Sequence, residues 1–330
     1  MPQDSSSTNG LEDGFSPSDR IREIDAQVAA LLREKEALAK RLAPKAERYP
    51  FKLSDKRPVV LIGGSGGMGR LLNRWFTASG AEVRILEKSD WDRAAEILKG
   101  AGIVIVSVPI DVTLETIDRA APFLERDALL TDVTSVKTAP LEAMLTAHPG
   151  PVCGLHPMFG PDVKDARGQV FVYSPGRFPE AAQPLLAQIA AWGARVVACS
   201  AADHDRAMSI IQALRHFTTY VYGVFLAKIR PDLYQILDLS SPIYRLELQM
   251  VGRLFAQDPH LYGDIIMSSK EKADLIEAYA DCLQEEVALV KRRDIDGFVK
   301  KFLEARDYFG ELAPRFMKES GALLNKIRRD

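Results

Sequence analysis

The chain has 330 residues, 47% of them hydrophobic and 27% charged, and a formal net charge of −2. That length suits roughly two globular domains, and the near-neutral balance gives no basis for binding nucleic acid or an anionic membrane surface. No apolar run reaches the roughly 18 residues of a membrane span. Three scattered cysteines, Cys153, Cys199 and Cys282, suit reduced thiols in a cytoplasm better than a disulfide frame or a metal site.

Residues 1–17, rich in Ser, Asp and Gly, read as a disordered tail without the apolar core of a secretory signal. Asp19 is placed to cap a helix reaching about Leu42, with Ile21, Ile24, Val28, Leu31, Leu32 and Leu38 at helical spacing. This arm and a proline-containing polar linker fill 18–56. At Val59 the texture changes. "PVVLIGG", "AEVRILEKSD", "IVIVSVPI", "ALLTDVTSVK", "PVCGLHP", "QVFVYSPG" and "ARVVACS" read as seven strands, with helical stretches between most of them. The alternation predicts an α/β fold, a Rossmann-type doubly wound and mostly parallel sheet over 57–201. Beyond Ala201 the strands stop. "DHDRAMSIIQALRHFTTYVYGVFLAKI" reads as one long helix, apolar nearly all round and so buried in a core or between subunits. The rest of 202–330 reads as an all-helical domain.

"VVLIGGSGGMGR" places Gly64, Gly66 and Gly69 in G-x-G-x-x-G spacing between a strand and a helix. The first glycine permits a tight turn, the second lets backbone approach a pyrophosphate, and the third lets helix and strand pack closely. Met68 lies in the same turn. Glu87, at the end of the second strand, suits hydrogen bonds to a ribose and repels a 2′-phosphate, which favours NAD, although the adjacent Lys88 pulls the other way. Ser107, Val108 and Pro109 end the third strand and are expected against the same cofactor.

Ligands of open α/β sheets bind beyond the carboxyl ends of the strands. The fourth strand delivers Asp132, Thr134, Ser135 and Lys137 there. "GLHPMFGPD", with two glycines and two prolines, excludes regular helix or central strand and reads as a loop of prescribed shape carrying His156. A neutral imidazole at that edge suits a general base. His216, on the long apolar helix, suits either a core histidine or a site residue. His204 sits near a helix start and reads as a cap or supporting group. Arg253, in an apolar stretch, needs an anionic partner, either a substrate carboxylate or a structural acid. His148 and His260 read as surface loop residues.

The stretches "ILEKSDWDRAAEI", "GLHPMFGPD", "IQALRHF", "LSSPIYRLELQMVGRLFAQDP" and "DIIMSS" resemble the prephenate dehydrogenase family, in the form fused to chorismate mutase in the bacterial T-protein. The resemblance covers the chain from about Arg57 onward. It implies NAD-dependent oxidative decarboxylation of a cyclohexadienyl substrate by a homodimer built through the helical domain. It implies His156 as the catalytic histidine on the ring C4 substituent, with Ser135 beside it, and Arg253 as the ligand of the ring carboxylate. It also implies substrate-side roles for His216 and for His204 near the active-site mouth. The arm resembles only the first mutase helix, with Ser18 and Lys35 where that enzyme has arginines. Mutase activity is therefore not expected, and a separate chorismate-mutase-type enzyme would act upstream. The lost mutase leans the expected substrate toward 4-amino-4-deoxyprephenate, an antibiotic-type precursor giving 4-aminophenylpyruvate. Prephenate, giving 4-hydroxyphenylpyruvate for tyrosine synthesis, is the alternative, and a non-catalytic nucleotide sensor is the remote one.

Overall fold

The computed structural model describes residues 17–42 and 49–327. The tail read over 1–17 therefore lies outside the described residues except for Pro17. The chain divides into two compact units at Arg48 and Tyr49. The first contains α1 (Pro17–Leu42). It ends where the sequence predicts but starts two residues before Asp19, which lies in its first turn rather than ahead of it. Ile24, Val28, Leu31 and Leu32 of the predicted stripe are exposed.

In the second unit all seven expected strands are present: β1 (Val59–Ile62), β2 (Val83–Leu86), β3 (Ile103–Val106), β4 (Leu129–Asp132), β5 (Val152–Pro157), β6 (Val170–Pro175) and β7 (Arg195–Ala198). They form one sheet in the order β2-β1-β3-β4-β5-β6-β7. Helices α2 (Gly67–Ala78), α3 (Ala94–Leu98), α4 (Ile110–Ala120), α5 (Thr138–Ala147) and α6 (Gln183–Ala191) flank it. Alternate residues of a strand face opposite sides. Val59 and Leu61 accordingly join one core layer with Trp75, Phe76 and Trp192. Val60 and Ile62 join the other with Leu98, Ile117 and Met144. Burial on both faces is why these strands read as unbroken apolar runs.

Every pairing is parallel except β5 with β6, which is antiparallel. A parallel return would need a crossover helix, and residues 158–169 between these strands contain none. The β4–β5 pairing stops at Asp132↔Gly154, whereas β6 pairs as far as Pro157↔Phe171. The end of β5 thus has a neighbour on one side only, which accommodates a proline that cannot donate. The first four residues of "GLHPMFGPD" consequently belong to β5, and His156 lies in a strand, not in the loop expected from the glycine and proline content. The loop starts at Met158.

From Ala201 only helices follow among the described residues: α7 (Ala201–Met208), α8 (Arg215–Ile229), α9 (Leu233–Leu239), α10 (Pro242–Phe255), α11 (Pro259–Met267), α12 (Lys270–Arg292), α13 (Ile295–Phe309) and α14 (Leu312–Ile327). The predicted single long helix is interrupted by a π-helical turn, Ser209–Leu214, between α7 and α8. It is also not buried within this chain: Tyr220, Val221, Tyr222, Val224, Phe225 and Ile229 are exposed.

Candidate active site

The strand order reverses direction of travel between β1 and β3, and the loops leaving these two strands meet there. Gly63, not Gly64, makes the tight turn, with φ of +81°. A Cβ on Gly63 would lie 2.5 Å from the Ser107 carbonyl, because the β1 and β3 exits touch. A Cβ on Gly69 would lie 2.4 Å from the Gly63 carbonyl, so the third glycine does let α2 close onto β1. A Cβ on Gly66 would meet only the Gly63 carbonyl, at 3.3 Å, which leaves that backbone approachable. No acidic side chain occupies the first turn of α2, whose N-terminal N–H groups suit phosphate. Glu87 accepts a hydrogen bond from the Ser65 N–H at 2.6 Å, which turns its carboxylate toward the glycine loop. Met68 packs on the core beneath the loop and Val108 on the opposite layer. Pro109 caps α4, its carbonyl accepting from Thr113. This loop, helix terminus and carboxylate fit a dinucleotide.

The chemistry-bearing side chains lie on the other side of the same sheet edge. His156 is 4% exposed and shares the strand face of Val152 and Gly154. Its Nδ1 lies 2.8 Å from His204 Nε2, and His204 Nδ1 lies 2.8 Å from Asp205 Oδ1. Asp205 also accepts from the backbone N–H groups of Lys137 (2.8 Å) and Thr138 (2.9 Å). Burial pushes the Asp205 carboxyl up, but these hydrogen bonds outweigh it and hold the group well below the usual carboxylate range. An ionised carboxylate only accepts, so His204 donates from Nδ1, and as a neutral ring it presents a lone pair at Nε2. His156 then donates from Nδ1, and its Nε2 carries a lone pair. The Gln212 carboxamide nitrogen donates to that lone pair at 3.3 Å.

His156 is kept neutral. Burial is the main cause, and the Lys137 ammonium, His204 and Lys272 add to it against Asp205, so its pKa falls well below the ordinary histidine value. Lys137 is itself fully buried and ion-paired with Asp132, which also accepts from Thr134. Burial lowers the Lys137 pKa and Asp132 opposes the shift. A Cβ on Gly154 would lie 2.9 Å from Lys137 Cδ, so the glycine before Leu155 makes room for the lysine stem.

His204 is thus not at the mouth of the site. It is 1% exposed, and both ring nitrogens are taken by protein groups. Ser135 lies half-buried in the turn between β4 and α5, and no hydrogen bond joins it to His156 among the described residues. Arg253, near the end of α10, is half-exposed and donates to Asp162 at 2.6 Å, so its partner here is an acid of the β5–β6 loop. His216 packs edge-on against Tyr262 of α11, ring centroids 4.8 Å apart, and burial followed by Arg215 lowers its pKa. His148 is buried, not a surface residue, its Nε2 bonded to the Ala128 carbonyl at 2.8 Å. Sequence reasoning missed Asp205 and Gln212. The pattern "DHD" placed an acid beside His204, and Gln212 follows His204 by eight residues, two helical turns on.

Residues 77–175 match the family described as prephenate dehydrogenase, nucleotide-binding domain, and residues 200–304 the family described as prephenate dehydrogenase, dimerization domain. Over 270 residues the chain is 52% identical to a T-protein of Enterobacter agglomerans, covering 82% of this chain and 72% of the relative. The chain belongs to the prephenate dehydrogenase family. A 4-amino-4-deoxyprephenate dehydrogenase of Streptomyces pristinaespiralis is more distant, 27% identical over 274 residues, 76% of this chain and 91% of the relative. This ranking runs against the lean toward the amino substrate, which rested on an expected absence of the mutase. The crystal structure of a prephenate dehydrogenase from A. aeolicus with hydroxyphenyl propionate and NAD+ superposes with a TM-score of 0.63 at 17% identity, over 78% of this chain and 99% of that one. The likeness supports the prephenate dehydrogenase fold: a Rossmann-like sheet followed by helices.

Proposed function

We propose that the chain oxidatively decarboxylates prephenate to 4-hydroxyphenylpyruvate with NAD+. The observation that carries this reading is the buried chain Asp205–His204–His156, with both contacts at 2.8 Å, which leaves His156 Nε2 to act as a proton acceptor. The 52% identity to a T-protein supports the hydroxyl substrate over its amino counterpart. Bound NAD+ supplies hydride acceptance from ring C4, and the glycine loop, the α2 terminus and Glu87 would hold it. His156 Nε2 takes the proton of the C4 hydroxyl as the C4 hydrogen leaves with its electron pair. Loss of CO2 from C1 returns electrons to the ring, and His156 gives the proton back to the resulting phenolate oxygen. Aromatisation drives the reaction, so the protein's work is alignment and proton handling. Arg253 would bind the ring carboxylate, and Ser135 and His216 would line the same substrate.

The dimerization-domain match and the exposed apolar side chains of α8 support a homodimer through the helical half, testable by light scattering. No described helix is long and apolar enough to cross a membrane, and the three free cysteines suit a reducing cytoplasm. The decisive assay offers prephenate and 4-amino-4-deoxyprephenate in parallel with NAD+ and follows NADH absorbance. A larger kcat/KM for prephenate supports the reading; preference for the amino compound reverses it; no NADH from either sinks it. Chorismate offered alone tests whether the mutase step belongs to another enzyme.

A further inference from the structure

Gln212 is held unlike a structural glutamine. Gln188, buried in the sheet's core layer, is satisfied at both ends: its Oε1 accepts from the Lys52 N–H, and its Nε2 donates to the Pro50 carbonyl and Ser79 Oγ. The Gln212 carboxamide has one partner among the described residues, His156 Nε2. Its Oε1 is buried and has none. An unpaired buried acceptor is costly and uncommon in a group that serves only packing. Gln212 also sits in the π turn Ser209–Leu214. Such turns are rare and concentrate at functional sites.

We propose that Gln212 is a second ligand of the substrate's C4 substituent, acting on the same hydroxyl as His156. The relay from Asp205 leaves His156 Nε2 as an acceptor, so the atom facing it must be a donor. Gln212 Nε2 supplies that donor here, and the C4 hydroxyl supplies it during turnover. With the hydroxyl between the two side chains, its O–H donates to His156 and its oxygen accepts from Gln212. The carboxamide exchanges no proton. It fixes which lone pair of the hydroxyl points away from His156, and it remains a donor to the oxygen as negative charge grows there after CO2 departs.

The proposal rests on the prephenate reading, so the parent protein is assayed first. Absence of NADH from prephenate defeats that reading before any variant is made. Gln212→Leu and Gln212→Glu are then compared with the parent in two measurements. One is the pH profile of kcat/KM with prephenate. The other is an NMR titration of the His156 imidazole without substrate. A donor on the lone pair favours the neutral ring. Its loss in Gln212→Leu should raise both the acid limb and the imidazole titration by about half to one pH unit. The same variant should lower kcat/KM about tenfold or more. The isosteric Gln212→Glu places a carboxylate beside the ring and should raise the titration further. It carries the test if the leucine variant does not fold. A folded variant with kcat/KM within about twofold of the parent and an unmoved titration overturns the proposal.

Discussion

Arg253 Nη2 lies 2.6 Å from Asp162 Oδ2, tying α10 to the loop that leaves β5 two residues after His156 begins its strand's last step. Both side chains are about half exposed, so the pair itself adds little stability. Its weakness suits the proposed role of Arg253, in which one carboxylate replaces another. Arg253→Ala should raise KM for prephenate by an amount equivalent to about 2–4 kcal/mol while kcat stays near the parent value. Asp162→Asn removes the competing acid and should lower KM by up to about fivefold at low salt. Steady-state kinetics on both variants decide it; an unchanged KM in Arg253→Ala removes this residue from the site.

Asp205 sets the proton positions of two histidines without touching the lone pair it orients. In Asp205→Asn the carboxamide can present N–H to His204 Nδ1, which reverses both tautomers and puts a proton on His156 Nε2. A fall in kcat of roughly 10²- to 10⁴-fold is expected, with little change in KM. His156→Asn should cost a similar factor, with NAD+ affinity retained. A variant that keeps parental kcat would show that the relay does not fix the base.

The pH response follows from the depressed pKa of His156. The base stays neutral below the ordinary histidine value of about 6.5, so the acid limb of kcat/KM should fall below that value. Stability has the same sign. Below about pH 6.5 the unfolded chain takes up a proton that the folded chain refuses, so stability is full above that value and is lost as pH falls toward the folded pKa. Urea midpoints measured from pH 7.5 downward should therefore decline; a rise would contradict a neutral buried His156.

Gly69 and Gly63 are closed to any side chain for different reasons. Gly69 has backbone 2.4 Å from its Cβ position, and Gly63 combines φ of +81° with the Ser107 carbonyl at 2.5 Å. Gly69→Ala should weaken NAD+ binding about 5- to 150-fold, corresponding to about 1–3 kcal/mol of overpacking. Titration calorimetry measures it directly.

The buried Lys137–Asp132 pair is the most exacting electrostatic element. Lys137→Met leaves an uncompensated buried carboxylate and should cost about 3–5 kcal/mol in urea unfolding. Adding Asp132→Leu should recover most of that loss, since the second change removes the stranded charge.

The sheet was legible because every inner strand is buried on both faces, and a continuous apolar run carries that directly. The glycine loop was legible in spacing but off by one in role, since "GGSGG" offers Gly63 and Gly64 as equal candidates for the positive-φ turn. The π turn was not legible: one extra residue in a helix apolar nearly all round leaves the periodicity unchanged. Nor was the contact of His156 with His204, 48 residues apart, because only the packing of α7 against β6 and α5 brings the rings together. His148 looked superficial until the Ala128 carbonyl gave its ring a buried partner. The substrate lean rested on an expected loss of the mutase and on no pocket residue, and relatedness across the chain displaced it.

Beyond Gly154, β5 has lost β4 as a neighbour, and the orientation of His156 depends on β6 alone through the pair His156↔Val172. Side chains alternate strictly along a strand. Inserting or deleting one residue between Gly154 and His156 would turn the imidazole toward the opposite layer, which holds Trp75 and Phe171. The same change within residues 159–168 leaves that alternation intact, although it disturbs the Asp162–Arg253 pair and the packing of Phe159 and Ala166. Presenting the proposed base in this family member is therefore a matter of parity, an even or odd count from Gly154 to His156.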